Sequence, residues 1–216
     1  MICPCCRIDD SKAHDALNLL ECLSCGHIWQ KTFKPFEYGH KYIDQGYLNK
    51  PTRDMAFLRL GIVGQYMTEG SLIDVGYGDG EFVRQAIKSG FDAKGYDIHA
   101  DDMDIPTVSE LPRHSKGRTF FDSLEHFPNL ADAMKGVSEF VFVTIPHTPQ
   151  GNPEQAFSEW RHFKPDEHLH YFTPSSLTRL FIRYNYSCLA MMNTEDLIRK
   201  NDKHKPNTMT YVFRWG

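Results

Sequence analysis

Glycine at every second position in Gly76-Tyr77-Gly78-Asp79-Gly80 constrains this chain more than any other feature. The run follows Ser71-Leu72-Ile73-Asp74-Val75, a short apolar stretch suited to a strand. It precedes Glu81-Phe82-Val83-Arg84-Gln85-Ala86-Ile87, which reads as a helix. Strand, tight glycine turn and helix in that order open a doubly wound, mostly parallel α/β sheet. Glycine lets the backbone pass close to a ligand, and the helix N-terminus offers free N–H groups there. Spacing narrows the ligand. A dinucleotide fingerprint reads G-x-G-x-x-G, and a phosphate-binding P-loop closes on Lys-Ser/Thr. Here the pattern is Asp-x-Gly-x-Gly-x-Gly, starting at Asp74, and it matches neither.

Downstream, Gly95-Tyr96-Asp97-Ile98 ends a second strand, with an acid 17 residues after Gly80. A carboxylate so placed accepts hydrogen bonds from both ribose hydroxyls. With this acid, Asp74 to Gly80 resembles the first motif of the class I S-adenosylmethionine (SAM)-dependent methyltransferases. The resemblance implies a Rossmann-like domain that binds SAM and releases S-adenosylhomocysteine. It assigns Gly76 and Gly78, with Tyr77 and Gly80 in the same loop, to the wall beside the methionine moiety. Asp74 lies nearby through its backbone or a bound water, and Asp97, followed by Ile98, takes the ribose.

Thr119-Phe120-Phe121-Asp122-Ser123-Leu124-Glu125-His126-Phe127 reads as a strand ending in a polar turn. It resembles the fourth-strand segment of methyltransferases that carry an N-terminal zinc ribbon. Ligands of open α/β sheets gather at the carboxyl ends of strands, so Asp122, Ser123 and Leu124 are expected to border the cofactor. His126 is the first candidate base for an acceptor that must lose a proton, and Glu125 is expected to be structural. The stretch His168-Leu169-His170-Tyr171-Phe172-Thr173 again resembles that family. His168 and His170, two further candidate bases, alternate along an extended segment, so at most one is expected to point inward. Ser175 or Ser176 suits the cap of the following helix. One departure stands out. Only 23 residues separate Asp97 from Phe121, where the family fits a helix, a third strand and a loop. The third strand is therefore expected to be vestigial or missing.

Five of the six cysteines fall within the first 25 residues. Cys3 and Cys6 form one Cys-x-x-Cys pair, and Cys22 and Cys25 a second after a 15-residue spacer. Two such knuckles close a four-thiolate structural Zn2+ site, and so short a segment needs the metal to fold. Cys5 is expected to be a spectator, although an exchange of roles with Cys3 stays open. His27 is expected to pack or face solvent. Cys188, alone in an apolar strand, is expected to be a buried thiol. The chain is thus expected to divide into a zinc ribbon (1–36), a linker or lid (37–51) in which Tyr38 and Tyr42 pack the ribbon against the core, with cover of the cofactor as the alternative, and a methyltransferase domain (52–216).

No apolar run approaches the roughly 20 residues of a membrane span, and no signal sequence opens the chain, so a cytoplasmic protein without a membrane partner is expected. A net charge of −4 without a basic block argues against nucleic acid as the partner. The zinc-ribbon resemblance points to a small-molecule or sugar-linked methyl acceptor. Two other readings stay open: a degenerate methyltransferase fold acting as a binding or assembly module, and a ribbon-guided enzyme acting on nucleic acid. The oligomeric state is not legible.

Overall fold

The computed structural model describes residues 1–35, 52–98, 104–199 and 207–216. The expected lid at 37–51, with Tyr38 and Tyr42, lies outside the described residues. The N-terminal module holds three short strands, β1 (Ser11–His14), β2 (Leu19–Cys22) and β3 (Ile28–Gln30). β2 and β3 are the hairpin that carries the second knuckle, and Gly26 turns it with a φ of 71°.

The rest of the chain builds a layered α/β structure. In order come α1 (Thr52–Gly64), β4 (Ser71–Val75), α2 (Glu81–Lys88), β5 (Asp92–Tyr96) and β6 (His114–Phe121). A 3-10 turn (Leu124–His126), α3 (Leu130–Ala133), β7 (Val137–Pro146), α4 (Pro153–Ala156) and β8 (His170–Tyr171) follow. α5 (Pro174–Ile182), β9 (Tyr186–Met192), a second 3-10 turn (Thr194–Leu197) and β10 (Thr208–Trp215) complete it.

Six of these strands form the main sheet in the order β5-β4-β6-β7-β10-β9. β5, β4, β6 and β7 run parallel, and β10 runs antiparallel to both β7 and β9. β4 and β7 are nearly continuous apolar runs because helices or the N-terminal module cover both faces. On one face Leu60, Ile62 and Val63 of α1 and Phe82, Val83 and Ala86 of α2 pack on Leu72, Phe121 and Phe142. On the other, Leu177, Leu180 and Phe181 of α5 share a core with Ile73, Val143 and Phe213. Cys3, Cys22, Cys25 and Trp29 belong to that second core, so the N-terminal module packs on the sheet itself.

The short stretch after Asp97 leaves its mark. Among the described residues the third strand is reduced to one parallel bridge, Gly95 with Thr107. Gly95 N–H donates to Pro106 O at 2.9 Å, and Val108 N–H to Gly95 O at 2.9 Å. Pro106 has no N–H with which to extend the ladder.

Three expectations are corrected. α5 is capped by Thr173, not Ser175 or Ser176. Pro174 lacks an N–H and takes the first helical position, which moves the cap one residue back. Thr173 Oγ1 accepts from Ser176 N–H at 3.2 Å, and Ser176 Oγ accepts from Thr173 N–H at 2.9 Å, a reciprocal capping box. Cys188 is exposed, because β9 is the outer edge of the sheet. His168 and His170 are both buried, each 5% exposed. β3 pairs with β8 through Ile28–Tyr171 and Trp29–His170, so the side of β8 that would otherwise meet solvent is interior as well.

Candidate active site

The loop between β4 and α2 is bare main chain at alternate residues. Gly76, Gly78 and Gly80 have φ of 76°, 56° and 72°, values that L side chains adopt only under strain. Gly76 N–H donates to Tyr96 O at 2.8 Å, which sets the glycine loop against the residue just before Asp97. Ser123 Oγ donates to Val75 O at 2.5 Å, and a Cβ on Gly76 would lie 2.5 Å from Ser123 Cβ. The ends of β4, β5 and β6 therefore converge on one point, and Asp97 stands half-buried beside it.

Other expected cofactor residues sit differently from one another. Asp74 is 4% exposed and accepts from Thr119 Oγ1 at 2.6 Å; burial pushes its carboxyl up to about 6. Tyr77 turns its ring into the core over Gly95, where a Cβ would meet it at 2.4 Å. Leu124 is fully buried in the opposite core. Ile98 is 68% exposed.

Asp122, in the left-handed region at φ 58°, belongs to a four-membered ion cluster. Arg59 of α1 donates to Asp122 Oδ2 at 2.8 Å and to both oxygens of Glu195, at 2.8 and 3.0 Å. Arg199 donates to Asp122 Oδ2 and, at 2.7 Å, to Glu195 Oε2. Burial opposes ionisation of Asp122, but the Arg199 and Arg59 guanidiniums outweigh it and hold the carboxyl well below the usual range. Neither Arg59, Glu195 nor Arg199 was legible as a site residue. Arg59 lies 136 residues from Glu195 in sequence, and no local pattern joins it to the Glu195–Arg199 pair.

Two of the three candidate bases form a second group. His126 and His168 meet edge to face with ring centroids 4.8 Å apart. Burial lowers the pKa of His126 and lowers that of His168 to about 2. His170 points the other way. Its Nε2 lies 3.0 Å from Phe127 O and its Nδ1 3.1 Å from His27 Nε2. Only Nε2–H of His170 can serve the carbonyl, so Nδ1 is the acceptor and His27 donates from Nε2. With both nitrogens engaged, His170 orients the turn after β6. His27, fully buried, stacks between Trp29 and His170.

In the N-terminal module the Sγ atoms of Cys3, Cys6, Cys22 and Cys25 lie within 4.8 Å of one another. Cys3–Cys25 and Cys6–Cys22 are each 3.6 Å apart. A tetrahedral ion with Zn–S bonds of about 2.3 Å places its sulfurs about 3.8 Å apart, so the cluster fits such an ion. Cys5 is buried in the core outside this group.

The profile of the methyltransferase-domain family matches residues 51–191. The chain belongs to this family. No match was found among curated protein sequences. Among solved structures, the fold is similar to a SAM-dependent methyltransferase from Archaeoglobus fulgidus (15% identity, 82% of this chain and 100% of that one, TM-score 0.56). It is equally similar to the 1,6-didemethyltoxoflavin-N1-methyltransferase of Burkholderia thailandensis, solved with bound 1,6-didemethyltoxoflavin and S-adenosylhomocysteine (13% identity, 95% and 99% covered, TM-score 0.56). A third similar structure is from a complex of the Haloferax volcanii Trm112 methyltransferase activator with a methyltransferase (9% identity, 81% and 96% covered, TM-score 0.56). The protein is thus a methyltransferase with a Rossmann-like sheet in which, among the described residues, a single bridge stands in the third strand's place. No helix among the described residues is long and apolar enough to cross a membrane.

Proposed function

We propose that this methyltransferase takes its methyl group from SAM and delivers it to a small-molecule acceptor, sugar-linked ones included. The observation that carries the reading is the Gly76 N–H to Tyr96 O bond, which brings the bare glycine loop and Asp97 to one place. Asp97 holds the ribose hydroxyls, and Gly76 to Gly80 leaves room for the methionine portion, as does the turn at Asp122 and Ser123. SAM bound there supplies a methyl group on a positively charged sulfur, which leaves with its electron pair. The chain's own contribution is alignment, an effect that can supply roughly 7–11 kcal/mol. Where the acceptor carries a proton and no ion occupies its second ring nitrogen, His126 takes it; burial keeps this imidazole neutral near pH 7, and it stands half-buried at the rim.

The four cysteines hold a structural Zn2+, closed and without a catalytic position. Their reduced state suits the cytoplasm. The metal acts on the site at a distance, because His27 and Trp29 beside the second knuckle support β8 and the turn that carries His126.

Calorimetric titration of the purified chain with SAM and S-adenosylhomocysteine tests the reading. Micromolar binding is expected, weakened on the order of 10–100-fold in Asp97→Ala, the loss of one or two hydrogen bonds to a charged group. Absence of binding in the folded wild type would instead favour a non-catalytic binding module, the reading to which the short segment between Asp97 and Phe121 points.

A further inference from the structure

Glu125 is 1% exposed, and neither carboxylate oxygen has a hydrogen-bond partner. His168 is 5% exposed, and its Nδ1 is buried without a partner. Native interiors leave very few polar atoms in this state, and an unpaired buried carboxylate is among the costliest. The residues that carry them are neighbours. One ligand atom each from Glu125, His126 and His168 lies within 4.8 Å of the other two. Water does not resolve the deficit: the crevice that Glu125, His168, His170, Trp160 and Tyr171 line is too narrow for a water molecule. Nor do the nearby cations. Lys164 Nζ is on Glu167 at 2.8 Å, and Arg199 is spent on Asp122 and Glu195.

We propose that Glu125, His126 and His168 form a second metal site, separate from the four cysteines, for a divalent first-row transition ion. Two imidazoles and one carboxylate are a donor set that such ions favour over Mg2+ or Ca2+. The surroundings are those of a ligand set. Ligating histidines hand their second ring nitrogen to a carbonyl or carboxylate. His126 is hydrogen-bonded to the Glu167 main chain; the Glu167 carboxylate faces His168 Nε2 at 3.9 Å, too far for a hydrogen bond, and His168 Nδ1, buried without a partner, is the nitrogen open to the ion. The three ligands come from two segments that are fixed to each other, since Leu169 N–H donates to Glu125 O at 2.9 Å. Three protein ligands also leave coordination positions open on the half-buried His126 side, unlike the closed thiolate cluster. The site stands whether or not SAM is the methyl donor.

The test is metal stoichiometry on the full chain, by elemental analysis after dialysis against micromolar Zn2+, with Co2+ as a spectroscopic substitute. The wild type is expected to hold two equivalents. Glu125→Gln and His168→Gln are each expected to hold one, with thiolate-to-cobalt absorption unchanged and only the weaker nitrogen–oxygen bands lost. Should either buried variant fail to fold by circular dichroism, His126→Gln, at the more open position, gives the same readout. A wild type that holds a single equivalent overturns the proposal. So does a second equivalent that persists in the variants, since the ion would then sit on other histidines.

Discussion

The carboxyl of Asp74 ends β4 with the Thr119 hydroxyl as its hydrogen-bond donor and almost no contact with solvent. Burial raises it from 3.8 to about 6. A carboxyl that holds its proton more tightly folded than unfolded destabilises the fold when ionised. That cost is present above about pH 6 and disappears as pH falls below about 4. The shift corresponds to about 3 kcal/mol at most. Asp74→Asn is therefore expected to melt several degrees above the wild type at pH 8, less whatever the new amide N–H loses for want of an acceptor. The gap should close by pH 4 in thermal circular dichroism; a gap independent of pH would contradict this account. At this scale the sequence located the acids and glycines, because their spacing is local. It did not reveal that Tyr77 and Leu124 turn inward, or that Glu125, expected to be structural, is buried with both oxygens unpartnered. Side-chain direction after a turn depends on which core has space, and that is set by strands distant in sequence.

Two residues of β8 decide how the N-terminal module joins the rest. β3 alone is three residues long, and the pairing with β8 extends its sheet to four strands. Gln30 adds to it: its backbone N–H donates to Leu169 O at 3.0 Å and its side chain to His168 O at 3.0 Å. If zinc holds the cysteine knuckles, removing it releases β3 and with it the support of His168 and His170. Cys22→Ser, or chelation of the wild type, is expected to increase amide exchange at Gln30 and Leu169 by at least tenfold. β4 and β7 should stay protected. Equal exchange across both sheets would mean that the module and the main sheet unfold as one unit. The paired cysteines and the β2–β3 hairpin were legible because knuckle spacing is a short-range pattern. β8 was not, since a two-residue strand has no periodicity to detect and exists only through its partner.

Across the whole molecule, the Arg59–Asp122–Glu195–Arg199 cluster ties α1, the end of β6 and the turn before β10 into one charged knot beside the glycine loop. Thr144 Oγ1 donates to Glu195 Oε1 at 2.9 Å and brings β7 into it. Arg59→Met leaves the fully buried Glu195 with one fewer cation, and breaking a buried pair from one side costs roughly 3–5 kcal/mol. Urea unfolding should show a loss of that order, whereas a loss below about 1 kcal/mol would mean that Arg199 alone suffices. By itself the sequence determined the opening βα unit, the four-cysteine pattern and the shortness of the third-strand segment, because each is written in contiguous residues or in the length between them. Only the tertiary structure decided which histidine faces which partner, how the N-terminal module makes both sides of β8 interior, and that Glu125, His126 and His168 converge. The physical reason is that burial and electrostatic pairing are set by chain segments far apart in sequence, which local pattern does not encode.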